Sequence, residues 1–103
     1  MIKDKLKVEI QLFEACPNAD KMKARVLEAI QFLDFDVDYA ETYVETPEMA
    51  EKVKFRGSPT VLVNGIDLEN LPEPEKANLA CRYYANGLPS VEEISGFLIQ
   101  ASE

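Results

Sequence analysis

Between Lys7 and Val44 the apolar pattern changes period twice, which narrows the architecture to a strand, a helical crossover and a second strand parallel to the first. Lys7 to Phe13, KVEIQLF, sets Val8, Ile10 and Leu12 alternately against Glu9 and Gln11, the repeat of a strand with one buried face. Met22, Val26, Ala29, Ile30 and Leu33 then recur at steps of three and four, the repeat of a helix, with Pro17 suited to its first turn. Asp36 to Val44, DVDYAETYV, returns to alternation and to β-forming residues.

The second half reads in the same way. Thr46, Pro47 and Glu48 form a helix start, and Met49, Ala50 and Val53 line a short helix that stops before Gly57. Thr60 to Val63 and Ile66 to Leu68 flank Asn64-Gly65, the pair that supplies positive φ at both central positions of a type I′ hairpin turn. Ser90 caps a last helix whose apolar face is Val91, Ile94, Phe97, Leu98 and Ala101, with Glu93 completing a capping box. The expected fold is α/β, in the order β-α-β-α-β-β-α, with a four-stranded mixed sheet and flanking helices over residues 1–103 as one domain. Residues 69–89 are long for a connection in so small a chain, the length at which loops are often functional. A short helical piece is expected there around Ala77 to Tyr84.

Charge and composition exclude whole classes of function. Nineteen acidic against eleven basic side chains leave a net charge of -8, so phosphate backbones and anionic lipid surfaces are repelled, and nucleic acid is not an expected partner. Apolar runs fall far short of the ~20 residues that cross a bilayer, and the first ten residues lack the apolar stretch of a signal peptide. The expected location is the cytoplasm, with no membrane association. No histidine is present, which removes Cys-His and Ser-His catalysis and histidine metal sites; no metal and no cofactor are expected.

Two cysteines, Cys16 and Cys81, are too few and too widely spaced for a secreted disulfide framework; in a reducing compartment they are structural residues or working thiols. Cys16 stands at the β1 to α1 junction. There it is expected to face unpaired helix N–H groups and the positive end of the macrodipole, which favour the thiolate. That makes it the candidate nucleophile, at least partly exposed and with a depressed pKa. Glu14 and Asp20 oppose a second anion nearby, whereas Arg56, preceded by Lys52 and Lys54, offsets them if its side chain turns toward the site.

The order of elements, a cysteine at the first strand-to-helix junction and Ser58-Pro59-Thr60 before the third strand together resemble the thioredoxin superfamily. More narrowly, FEACPN at 13–18, FRGSPTVLVNG at 55–65 and LACRYY at 79–84 look like a group of small bacterial and archaeal thioredoxin-fold proteins, some labelled alkylmercury lyase-like. The resemblance implies a cis peptide before Pro59, a proline ring beside the redox cysteine, and neighbouring backbone open to an extended substrate. Pro17, Arg56, Ser58, Pro59 and Thr60 are then the candidate substrate-binding residues. One departure is chemical: thioredoxins carry C-x-x-C, and here the tetrad is Cys16-Pro17-Asn18-Ala19, with alanine at the resolving position.

In such a fold the return strand of the hairpin leads back to the active-site edge, so the loop carrying Cys81 begins where Cys16 sits. Two readings of Cys81 stand open: a resolving thiol that pairs with Cys16, or a small buried hydrophobe; in either case it is expected to react more slowly than Cys16 with alkylating reagents. The function expected first is thiol–disulfide exchange centred on Cys16 and Cys81, with a protein or small-molecule thiol or disulfide as partner. The alternatives are a thioredoxin-fold binding protein without turnover, and capture of a soft ion (mercury, copper(I) or arsenic) by the two thiolates.

Overall fold

The computed structural model describes residues 5–102. Strand β1 (Leu6–Leu12) is followed by helix α1 (Ala19–Gln31), β2 (Val37–Tyr43), α2 (Pro47–Val53), β3 (Thr60–Val63), β4 (Ile66–Asp67) and α3 (Val91–Ala101). The four strands form one mixed sheet in the order β2-β1-β3-β4. β1 runs parallel to β2 in the register Leu6–Val37 through Leu12–Tyr43, and antiparallel to β3 in the register Val8–Val63 through Gln11–Thr60. This is the mixed α/β architecture the sequence implies, and it is compatible with a thioredoxin-like arrangement.

Hydrophobic burial explains why β1 is central. Leu6, Val8, Ile10 and Leu12 are each at most 5% exposed, and they pack with Met22, Val26 and Ala29 of α1 and Ile94 and Leu98 of α3. Each of the Val, Leu, Ile and Met side chains among them contributes about 1.5–3 kcal/mol when fully withdrawn from water. A second cluster, Val44, Ala50, Phe55 and Ala77, gathers around α2 with Phe13, Met49, Val53 and Leu79 against it.

Local chemistry sets the element ends. The Thr46 side chain accepts the Met49 N–H at 3.1 Å, Pro47 opens α2, and Lys54 in a left-handed conformation closes it. Ser90 and Glu93 form the expected capping box on α3. Asn64 and Gly65 both have positive φ, 51° and 82°, in the tight turn joining β3 to β4.

Residues 69–89 depart from expectation. No helix forms at 77–84; the segment has no regular secondary structure beyond a single parallel bridge from Cys81 to Ser58. The reason is competition for backbone groups, since the Ala80 carbonyl and Arg82 N–H are both engaged by Ser58, at 2.9 and 2.8 Å. A helix would have to turn those same groups inward on itself. Further along, Arg25 of α1 donates to the carbonyls of Leu88 and Pro89 at 3.1 and 3.0 Å, fixing the entry to α3.

Candidate active site

Cys16 is held by two consecutive turns rather than by a helix. Its N–H donates to the Phe13 carbonyl at 3.0 Å, and its own carbonyl accepts the Ala19 N–H at 3.2 Å. α1 begins only at Ala19, with Asn18 as its N-cap. Pro17 therefore lies ahead of the helix, not in its first turn, and Cys16 stands a further residue back. The field of a helix end fades within one turn, so it is weaker at Cys16 than the sequence reading supposes. The expected exposure is also reversed: Cys16 is 4% exposed, while Cys81, one of whose readings is a buried hydrophobe, is exposed.

Ser58 is the hub between the two cysteines. Its Oγ accepts the Phe13 N–H at 2.8 Å and donates to the Phe13 carbonyl at 3.3 Å, tying it to the segment that leads into Cys16. Its backbone N–H donates to Ala80 and its carbonyl accepts from Arg82, so the residue between them, Cys81, is aligned beside it. The Ser58-Pro59 peptide is cis. The backbone before Pro59, expected to lie open to an extended substrate, is filled by the chain's own residues 80–82.

Thr60 is likewise an internal residue. It is 0% exposed, its hydroxyl donates to the Gly57 carbonyl, and Arg82 Nη1 donates to it at 3.4 Å. Ser58 and Thr60 thus position the site rather than face a ligand, and Pro59 is enclosed with them. Gly57 is required where it stands: its φ is +101°, and an added Cβ would lie 2.9 Å from Arg82 Cβ. Only glycine lets the 80–82 segment approach so closely.

A charged network secures that segment. Arg82 donates to Asp67 through Nη1 at 2.6 Å and Nη2 at 2.9 Å, with the two side chains 7% and 0% exposed. Asp67 also accepts the N–H groups of Glu69 and Leu71, at 2.9 and 3.1 Å. Burial alone would raise the Asp67 pKa, but hydrogen bonds from Arg82 and the two backbone donors outweigh it and hold the carboxyl below its ordinary value. The Arg82 guanidinium lies 4.6 Å from the centre of the Tyr84 ring, and the Tyr84 hydroxyl donates to the Pro59 carbonyl at 2.6 Å. Burial pushes the Tyr84 hydroxyl pKa up, so it stays a neutral donor.

The outcome is that Cys16 and Cys81, 65 residues apart, are joined in a disulfide with Cα atoms 5.6 Å apart, inside the span such a bond demands. Of the two readings of Cys81, the pairing one holds. Beside it lies a cavity of about 380 Å³ whose wall includes Cys81, Ala80, Arg56, Gly57, Glu73 and Lys76. Arg56 also lines this cavity, and its Nε donates to the Leu71 carbonyl at 2.8 Å. Pro17 is exposed on the turn after Cys16.

Asp67, Arg82 and Tyr84 escape the sequence reading, although one signal for them is present. Asp67 interrupts the apolar run Ile66 to Leu68, and a carboxylate buried in a strand demands a cationic partner. Arg82, next to Cys81, is the one the fold delivers. No family model, curated protein or solved structure matches the chain.

Proposed function

We propose that the chain is a thiol–disulfide oxidoreductase on a thioredoxin-like scaffold, cycling between the Cys16–Cys81 disulfide and the dithiol. One observation carries this reading: the bond joins a buried sulfur to a residue that is exposed on the wall of a cavity. Exchange proceeds by in-line attack of a thiolate on one sulfur with the other leaving. The asymmetry selects Cys81 for attack and Cys16 as leaving group, the reverse of the roles the sequence suggests. Cys81 supplies the second sulfur that the tetrad, with Ala19 at its last position, does not contain.

Ser58, Gly57 and the Asp67–Arg82 pair support the reading because they hold Cys81 by contacts other than the disulfide. The 80–82 segment then stays in register when the bond opens, and the two sulfurs can rejoin. The chain itself covers the Ser58 backbone, which favours exchange chemistry over a binding protein that grips an extended partner at Pro59. A cytoplasmic location accords with it too, since disulfides that form there are commonly catalytic or redox-sensing.

Equilibration in graded dithiothreitol buffers, with thiols quenched by alkylation and counted by mass, tests the proposal. The expected result is a reversible two-electron transition at a potential above about −300 mV. A potential below that range, or reduction that cannot be reversed in the folded chain, would mark the bond as a structural staple and defeat the proposal.

A further inference from the structure

We propose that the cavity beside Cys81 receives a low-molecular-weight thiol bearing a carboxylate, and that this molecule, rather than a polypeptide, exchanges with the disulfide. The inference rests on the redox reading of the pair and adds its substrate class.

Four observations converge on that occupant. Cys16 is 4% exposed, whereas Cys81 is exposed and lines the cavity, so of the two residues Cys81 is the one an incoming thiolate meets first. The cavity measures about 380 Å³, at the small end of the range for small-molecule sites. Its wall carries two cations, Arg56 and Lys76, against one anion, Glu73, in a chain whose net charge is -8. A locally cationic wall on an acidic molecule favours an anion only close to the sulfur, where the local charges outweigh the distant ones. Finally, the Ser58 backbone, the edge an extended polypeptide would pair with, already bonds Ala80 and Arg82.

The exchange balances as follows. The bound thiol gives up its proton, and the thiolate RS⁻ attacks Cys81 Sγ. The Cys16–Cys81 bond breaks, its electron pair leaves on Cys16 Sγ, and that sulfur takes up a proton. Cys81 now holds R in a mixed disulfide. A second RS⁻ attacks the sulfur of R, forms R–S–S–R and releases Cys81 as thiolate. Two thiols are oxidised while one protein disulfide is reduced to two thiols.

The test measures second-order reduction rates of the oxidised chain by reduced glutathione (anionic), 2-mercaptoethanol (neutral) and cysteamine (cationic), each corrected for thiolate fraction and basicity. Glutathione is expected to exceed 2-mercaptoethanol by about tenfold, with cysteamine slowest, and the advantage to shrink in high salt. Arg56→Gln and Lys76→Gln should each reduce it, and the trapped adduct should map to Cys81. The overall charge alone predicts the opposite order, so equal rates or a cysteamine preference overturn the inference, as does an adduct on Cys16. A short unstructured cysteine peptide that reacts faster than glutathione after the same correction also overturns it, in favour of a polypeptide substrate.

In the Cys16→Ser variant, glutathione disulfide should load Cys81 with one adduct per chain, and Cys81→Ser should load at less than about a tenth of that rate. Equal loading of the two variants overturns the inference. Dithiothreitol separates the two proposals: if it cycles the pair reversibly while glutathione shows no advantage, only the substrate class fails. If dithiothreitol cannot cycle the pair, the oxidoreductase reading fails with it.

Discussion

Opening the Cys16–Cys81 bond leaves the folded contacts largely in place and acts mainly on the unfolded chain, so its cost follows from a sequence separation of 65 residues. Closing a loop of that length removes about 15 cal/mol/K of chain entropy, so the cross-link stabilises the fold by about 4 kcal/mol at 25 °C. Little is returned on the folded side, because Ser58 still pairs with the 80–82 segment and Arg82 still pairs with Asp67. Against a total stability of about 5–15 kcal/mol for a domain, the reduced protein should remain folded but melt roughly 20 °C lower.

The same free energy must appear in the redox chemistry. The bond should be harder to reduce in the folded chain than in the urea-unfolded chain by about 90 mV, the equivalent of about 4 kcal/mol for two electrons. Urea titrations of the oxidised chain, the reduced chain and the Cys16→Ser/Cys81→Ser variant, followed by circular dichroism, give the stability difference. Potentials measured in native buffer and in urea give the second value. A stability difference below about 1 kcal/mol, or a potential that is the same in both states, would refute the claim that the cross-link acts through the unfolded ensemble.

Replacing Asp67 by Asn leaves the Arg82 guanidinium, 7% exposed as a side chain, with only the longer 3.7 Å pair to Glu69, and should cost about 3 kcal/mol in urea unfolding; Asp67→Asn should also slow re-formation of the disulfide after reduction. Because the folded pKa of Asp67 lies below its unfolded value near 3.8, its contribution is complete above that value and lost as pH falls through the folded pKa; stability measured from pH 7 to 2 should therefore drop more in the native chain than in Asp67→Asn. Gly57→Ala forces a Cβ to 2.9 Å from Arg82 Cβ at a φ of +101° and should destabilise by about 1–3 kcal/mol, with a shifted redox potential as the sign that Cys81 has moved. Ser90→Ala removes the acceptor of the Glu93 N–H in the α3 capping box; a loss of about 1 kcal/mol without change in potential is expected, and thermal melts with redox titrations check both.

Periodicity and turn chemistry determine the element order from the sequence alone. The alternation of Val8, Ile10 and Leu12, the helical spacing of Met22, Val26 and Ala29, the Asn64-Gly65 turn and the Ser90–Glu93 box are local patterns, and the structure realises each of them. Such signals survive because neighbouring residues enforce them whatever the rest of the chain does. The segment around Cys81 is different: nothing within 77–84 states that its backbone will bond to Ser58 instead of to itself, because that partner arrives only when β3 has been laid beside β1. The same holds for Asp67 and Arg82, which are 15 residues apart and meet only after the β3–β4 hairpin folds. Which cysteine is reachable was likewise a tertiary decision. The two turns after Phe13 lead into a buried Cys16, whereas Gly57 lets the 80–82 segment approach closely with Cys81 left exposed. Burial is a property of everything packed around a residue, so the sequence could nominate both cysteines and only the assembled fold could decide which of them is buried.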